Sequence, residues 1–330
     1  MASPHLFFSL NKNSNLAKEI VSHLNLSLSE VQIVNFADGE VFVRPVDSVR
    51  NKNVFIIQSL CKPVNENLVT LLVALDSFRR AGPKEVNVIL PYFCYSRQDR
   101  KVSGREPITA RLMADLLTAA GATRVLLVEI HSNQIQGFFN IPTDIVTTIY
   151  PIAEHLAKIL SFDNLSIVAP DFGGIKRAHV LNKLFKSDLL IIDKEREQVN
   201  ECKVNHVIGE VSGRDCLIVD DMLDTGGTIL ASSQILKDKG ANKVMVVVTH
   251  GLFSRNALEN FQKAWEQKII EKVYITDTIE VEGSYPFLEV ISVSKFLSKI
   301  INIYVQNKGS LEQIYREYTE SIEALVNSKR

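Results

Sequence analysis

The apolar positions of this 330-residue chain fall into short β-branched runs separated by segments of helical period. That alternation marks a parallel sheet with helices on its faces. Val54–Gln58 reads as a strand, Glu66–Arg80 as a helix, Val86–Leu90 as a strand, Ile108–Ala120 as a helix and Val125–Ile130 as a strand. A second series repeats the plan: strand Ser166–Ala169, helix Lys176–Phe185, strands Leu189–Ile192 and Cys216–Val219, helix Thr228–Lys239 and strand Val244–Thr249. These runs are apolar with almost no alternation, as strands covered on both faces are.

Two stretches of the series match residue for residue in character. Gly121-Ala-Thr-Arg-Val-Leu-Leu-Val-Glu-Ile-His131 parallels Gly240-Ala-Asn-Lys-Val-Met-Val-Val-Val-Thr-His250. Each has a helix-ending Gly, a basic residue, an apolar strand and a His ten residues after the Gly. Gly suits the end of a helix because it takes the left-handed conformation without strain. The repeat predicts a duplicated α/β domain with its break near Tyr150-Pro151. The expected division is 1–149 and 150–303, with a C-terminal segment from about 304 to 330 returning to the first domain.

Length fits two domains, and a content of 46% hydrophobic and 23% charged residues fits chains that bury a full core. Lys+Arg at 37 against Asp+Glu at 38 gives a net charge of -1, so no overall pull toward nucleic acid or membrane exists. Any phosphorylated ligand must be held by local clusters. Cys61, Cys94, Cys202 and Cys216 lie far apart, without a Cys-x-x-Cys pair or zinc spacing, and read as idle thiols in a reducing compartment. The N-terminus lacks the flank and apolar stretch of a signal peptide, and no run approaches the ~18 apolar residues of a membrane span. The expectation is a soluble, cytoplasmic protein.

The strongest local signal is Ile218-Val-Asp-Asp-Met-Leu-Asp-Thr-Gly-Gly-Thr228. An apolar strand runs into Asp220-Asp221, then into a small-residue loop and a helix from about Thr228. Gly226 and Gly227 allow tight backbone angles and a close approach. Loop amides and a helix N-terminus can then hold a phosphate without a basic side chain. Two carboxylates would repel that phosphate, so sugar hydroxyls, with a metal nearby, are their natural partners. An acidic surface turn in which Asp224 or Thr225 caps the helix is the plainer alternative.

That segment resembles the phosphoribosyl-binding loop of type I phosphoribosyltransferases, in the form found in the ribose-phosphate diphosphokinases. Further matches come in the family's order from about Asn35 to Ser298. Asn35-Phe-Ala-Asp-Gly-Glu-Val41 is similar to an adenine-contacting loop, Tyr95-Ser-Arg-Gln-Asp-Arg-Lys101 to a nucleotide motif, and His131-Ser-Asn-Gln-Ile-Gln-Gly-Phe-Phe139 to a metal and ATP motif. Ala169-Pro-Asp-Phe-Gly-Gly-Ile-Lys-Arg177, Lys194-Glu-Arg196 and Thr249-His-Gly-Leu-Phe-Ser254 also have counterparts. The resemblance implies two homologous phosphoribosyltransferase-type domains, each a mainly parallel sheet flanked by helices. It implies transfer of the diphosphoryl group of ATP to ribose 5-phosphate, with Mg2+, in a homo-oligomer that is commonly a hexamer. Phe36, Asp38, Glu40, Arg97, Gln98 and His131 would hold ATP, with His131 and Asp171 at the metal. Asp220, Asp221, Asp224, Thr225, Gly226, Gly227 and Thr228 would hold ribose 5-phosphate. Lys194 and Arg196 would act on the transition state from a lid, with His131 also counted as catalytic. Ser48, Arg50 and Arg105 match positions used in phosphate and ADP regulation.

The residues themselves agree with this picture. The chain has neither Gly-x-x-x-x-Gly-Lys-Ser/Thr nor Gly-x-Gly-x-x-Gly, so a triphosphate must be held by side chains and metal. The guanidinium forks of Arg97 and Arg100 match phosphate oxygens two at a time. Taken alone, Arg97–Lys101 also reads as a solvated basic face, Phe36 as turn packing, His131 as a structural histidine, and the polar stretch 193–205 as a solvated loop. Two positions depart from the family, which has Asp where this chain has Glu129 and Asn140, and the C-terminal tail does not follow it. Those departures leave two other readings open: a weakly active regulatory subunit, and a phosphoribosyltransferase acting on a nucleobase.

Overall fold

The structure, a computed structural model, describes residues 4–11, 14–198 and 201–330, with side chains at all of these except 194–198 and 201–205. They divide into two compact units, Met1–Thr147 with Ser294–Lys308, and Thr148–Val293 with Gly309–Arg330.

The first unit opens with β1 (His5–Ser9), α1 (Asn15–His23) and an antiparallel hairpin of β2 (Val31–Asn35) and β3 (Val41–Pro45). β4 (Asn53–Ile57), α2 (Val64–Arg80), β5 (Glu85–Leu90), α3 (Thr109–Ala120), β6 (Arg124–Val128) and β7 (Thr143–Val146) follow, with a 3-10 turn at Asn133–Phe138. Strands β1, β4, β5, β6 and β7 pair in that order, all parallel. α2 buries Leu68, Leu71, Leu75 and Phe78, a helical spacing that lays one face on the sheet. Phe78 meets Phe8 of β1 edge to face at 4.7 Å. Burial of each such side chain contributes about 1.5–3 kcal/mol.

The second unit runs α4 (Ile149–Ile159), β8 (Leu165–Ala169), α5 (Ile175–Phe185), β9 (Asp188–Gln198), β10 (Glu201–Ile208), β11 (Asp215–Leu223), α6 (Gly227–Asp238), β12 (Lys243–Gly251), α7 (Ala257–Glu266), β13 (Lys272–Thr276) and β14 (Leu288–Ile291). Its strands pair in the order β10-β9-β8-β11-β12-β13-β14, and only β10 is antiparallel to its neighbour. The chain leaves β8 toward β9 on one side and returns with β11 on the other. Connections from the carboxyl ends of β8 and β11 therefore part, and open α/β sheets bind ligands in the crevice at such a point.

Several expectations from the sequence are corrected here. The break near Tyr150-Pro151 falls inside α4, and the units divide at Thr147/Thr148. Pro151 sits in the first helical turn, where its missing N–H is no loss. The segment 304–330 does not return whole to the first unit. α8 (Ser294–Gln306) belongs there, burying Phe296, Leu297, Ile300 and Ile301, while α9 (Leu311–Lys329) belongs to the second. α9 carries Ile314, Tyr318, Ile322 and Val326 at every fourth position, and that stripe needs cover. Tyr315 stacks on Tyr150 at 4.7 Å, and Lys329 Nζ donates to the carbonyls of Lys158 and Leu160. The acidic pair lies within β11, not beyond it, and the polar stretch after Ile192 continues β9 into a hairpin with β10. Strand Val125–Ile130 ends early at Val128, because Glu129 turns left-handed at φ 41°.

Candidate active site

The crevice of the second unit gathers most of the acidic residues singled out in the sequence. Asp171 follows β8, where its Oδ1 accepts the Gly174 N–H at 3.0 Å. Asp220 and Asp221 sit on β11, next to β8 in the sheet. Arg177, in the first turn of α5, brings Nη1 to 3.6 Å from Asp220 Oδ1 and 3.9 Å from Asp221 Oδ1. Burial pushes the Asp220 carboxyl well above its ordinary range, Asp221's charge adds to the push, and Arg177 opposes it. Sequence reasoning gave Arg177 no role. A signal was present: a cation in a helix's first turn opposes the helix dipole and calls for an anionic partner.

Beyond the pair, β11 passes through Asp224 and Thr225 into α6. Gly226 stands at the N-cap of the helix at φ 75° and has no side chain with which to cap it. A Cβ on Gly226 would lie 2.3 Å from Phe261 Cε2, whereas one on Gly227 would meet nothing within 4 Å. Gly226 is thus required by packing, and Gly227 faces open space. The loop is hung from behind by its backbone: Leu223 O accepts from Leu252 N–H (2.8 Å) and Asp224 O from Ser254 N–H (2.9 Å). A helix N-terminus with small residues, open in front, is suited to an anion.

In the first unit the candidate nucleotide residues occupy three loops. Phe36, half exposed, lies at the tip of the β2–β3 hairpin, closed by Phe36 N–H to Glu40 O (2.8 Å) and by Glu40 N–H to Asp38 Oδ1 (3.0 Å). Arg97 and Gln98 are exposed after β5, beyond Tyr95, which is left-handed at φ 59°. Thr109 Oγ1 donates to Gln98 Oε1 (2.5 Å), so that oxygen is occupied and the amide N–H2 is turned to other partners. His131 is exposed three residues past β6. Asp38 and Glu40 line a cavity of about 1000 Å3 with Asn65, Asn67 and Thr70 of α2. Phe36, Arg97, Gln98 and His131 are not among its lining residues.

Lys194 and Arg196 fall on β9, opposite Val204 and Cys202 of β10, and their side chains lie outside the described residues. β9 pairs Ile191 with Ala169, the last residue of β8, so the hairpin extends past the carboxyl edge that carries Asp171.

Residues 5–121 match the family model for the N-terminal domain of ribose phosphate pyrophosphokinase, and residues 195–316 the phosphoribosyl synthetase-associated domain. The ribose-phosphate pyrophosphokinase of Ureaplasma parvum serovar 3 is 46% identical over 315 residues, 94% of this chain and 94% of that protein. The chain belongs to the ribose-phosphate pyrophosphokinase family. The Thermotoga maritima member is 42% identical over 312 residues, 94% of this chain and 97% of its own. The crystal structure of phosphoribosylpyrophosphate synthetase from Mycobacterium smegmatis matches with TM-score 0.85 at 32% identity, covering 92% of this chain and 99% of that one.

Glu129 and Asn140, both singled out in the sequence, differ in their surroundings. Glu129 Oε2 accepts from Thr147 Oγ1 at 2.7 Å, which fastens the end of β6 to the end of β7. Asn140 is exposed on the bend before Pro142. Asp144 on β7 is engaged by Arg124 Nη1 (3.0 Å) and Tyr304 OH (2.7 Å). Among the described residues no group of three or more His, Cys, Asp or Glu could hold a metal ion. His131 in the first unit and Asp171 in the second are single candidate donors, and magnesium, which keeps waters and substrate phosphates in its shell, takes only one or two protein ligands. Ser48 and Arg50 line a cavity of about 540 Å3 with Arg44 and Arg80; Arg105 is not among its lining residues and lies in the loop before α3. Burial pushes the Cys94 and Cys216 thiols up to about 12, and both are unreactive on that account. Among the described residues no helix is long and apolar enough to cross a membrane.

Proposed function

We propose that this chain is a cytoplasmic ribose-phosphate diphosphokinase that uses the crevice of its second unit for ribose 5-phosphate. The observation that carries this reading is the Gly226–Thr228 turn, with glycine at the helix N-cap, beside a carboxylate pair at the sheet's switch point. The 5-phosphate takes the amides of Asp224–Thr228, and Asp220 and Asp221 accept from ribose hydroxyls. Arg177 opposes the burial and the Asp221 charge that raise the Asp220 carboxyl. The 1-hydroxyl attacks the β-phosphorus of ATP, the bond to the α-phosphate oxygen breaks, and AMP leaves. Phe36 stacks on the base, Asp38 and Glu40 accept from its amino group, and Arg97 and Gln98 bind the nucleotide. His131 is the candidate magnesium ligand of the first unit and Asp171 that of the second; the ion, when bound, would supply positive charge against the phosphates. No general base is needed where positioning and electrostatics supply the rate, as is usual in phosphoryl transfer.

The test is AMP release from ATP with and without ribose 5-phosphate. Release that requires the sugar is expected, and none in either case would favour the regulatory-subunit reading, to which the Glu129–Thr147 bond lends some support. Gly227→Ala, whose Cβ has open space, should fold as the wild type does but raise KM for ribose 5-phosphate at least ~10-fold. An unchanged KM would remove Gly227 from the phosphate site.

The metal site makes a second test. A carboxylate gives magnesium a full charge, whereas the Asn140 carbonyl gives a dipole. Asn140→Asp should lower the magnesium needed for half-maximal activity, and Glu129→Asp should add to the effect by restoring the shorter reach. Superimposable titrations of wild type and Asn140→Asp would place position 140 outside the metal site. Partners follow the same reading. Ile108, Leu112 and Leu116 form an exposed apolar stripe along α3 at every fourth position, and a second copy of the chain is its natural cover. A homo-oligomer, a hexamer by family likeness, is expected in sedimentation.

A further inference from the structure

The turn after β12 supports the phosphate loop, and a buried polar network anchors the strand end from which that turn leaves. Leu252 and Phe253 both donate N–H to Leu223 O, at 2.8 and 3.1 Å, and Ser254 donates to Asp224 O at 2.9 Å. Phe253 and Arg255 carry positive φ, 42° and 58°. Side chains of that size adopt this conformation at a cost of about 1 kcal/mol or more, and keep it only where the surroundings fix it. Phe253 packs edge-on against Phe261 at 6.1 Å, the ring that also excludes a side chain from Gly226.

Two residues before Leu252, on β12, stands His250. It is 1% exposed, and its Nδ1 lies 2.9 Å from Thr278 Oγ1, itself 1% exposed. Thr276 and Thr278 both donate to Thr249 O, at 2.8 and 3.2 Å. Thr278 Oγ1 also lies 2.9 Å from Thr276 Oγ1, so the imidazole, the two hydroxyls and the Thr249 carbonyl form one buried network. A buried network satisfied in this way selects one arrangement of the chain. His250 pairs in register with Met222, two residues before Asp224. Its burial keeps it from substrate, so whatever it does for the reaction it does through the loop.

We propose that His250 and Thr278 are positioning residues for the sugar-phosphate loop. The imidazole ties the end of β12 to Thr278, the Leu252–Ser254 turn leaves from that end, and the turn fixes the carbonyls of Leu223 and Asp224, from which the Asp224–Thr228 amides hang. This rests on the assignment of that loop to ribose 5-phosphate.

The test compares KM for ribose 5-phosphate with KM for ATP in the full-length enzyme. His250→Leu should raise the first ~10-fold, the scale of one lost hydrogen bond, and leave the second within about twofold. His250→Asn, whose amide N–H2 stands near the place of Nδ1, should restore most of the loss. Thr278→Val removes the hydroxyl that meets both His250 and the Thr249 carbonyl and should reproduce the selective rise; it carries the test if His250→Leu does not fold. Equal changes in both KM values, or a fall in melting temperature with neither KM altered, would overturn the proposal. Gly227→Ala separates the two assignments. If it raises KM for the sugar while Thr278→Val does not, the loop stands and the positioning role falls. If neither does, the loop assignment itself is wrong.

Discussion

Asp220→Ala/Asp221→Ala is expected to raise KM for ribose 5-phosphate by roughly 100-fold or more while the protein remains folded. Hydrogen bonds to charged groups are worth about 1.5–3 kcal/mol each, and two are removed together. The double variant also strands Arg177, whose guanidinium lies within 3.9 Å of both carboxylates. Asp220→Asn/Asp221→Asn keeps the shape and polarity of the pair, so it separates lost charge from lost packing. Both variants should fail with the sugar and keep ATP binding, read by KM and by circular dichroism. Near-wild-type affinity for ribose 5-phosphate in either would show that the pair does not face the sugar. The single change Asp220→Asn adds a sign test. Burial first, and Asp221 second, raise the Asp220 carboxyl, so the folded state favours its protonated form. Its contribution to stability is then present at low pH and is lost as pH rises through the raised value. At pH 8 Asp220→Asn should melt above the wild type although it binds the sugar less well. Such a gain in stability with a loss of function is usual where a site holds like charges together.

The parallel strands were legible because burial on both faces leaves continuous apolar runs, and β4, β5, β8 and β12 lie within a residue or two of where those runs put them. The glycines of the repeat were legible for a backbone reason: Gly121 and Gly240 both end helices with positive φ, 127° and 85°. The histidines ten residues later were not interchangeable as the repeat implied. His131 is exposed past the end of β6, while His250 is buried within β12, because β12 continues to Gly251 and β6 stops at Val128. Where a strand stops depends on what pairs beyond it, and period alone does not carry that information. The β9–β10 hairpin was hidden for the opposite reason. The stretch 193–205 is polar through most of its length, so no apolar period marks the strands it forms. α9 was misassigned because an amphipathic helix advertises a buried stripe without naming the surface that buries it. Arg177, Thr147 and Thr278 act through contacts with residues far along the chain, and no local pattern marks such partners.

Lys194→Ala and Arg196→Ala are each expected to lower kcat by ~100-fold or more, the scale of removing one contact made mainly in the transition state. The position of β9 supports this. Its pairing with β8 ends at Ile191 opposite Ala169, and the strand runs on to Gln198 in the direction of the carboxyl edge. At about 3.3 Å per residue, Lys194 stands roughly 10 Å and Arg196 roughly 17 Å along the strand from that last pair. The neighbouring strand ends in the same direction with Asp171 after it, and β11 continues that way through Asp220 and Asp221. A hairpin raised over that edge is placed to bring cations to phosphates held there. Positive charge delivered as the diphosphoryl group moves stabilises developing charge more than it stabilises bound ATP, so kcat should fall with little change in KM for ATP. Lys194→Arg, which keeps charge on a longer and planar head, should retain part of the rate if charge is what matters. Variants that weaken ATP binding and turn over at full rate would assign these residues to ground-state binding and end the lid reading.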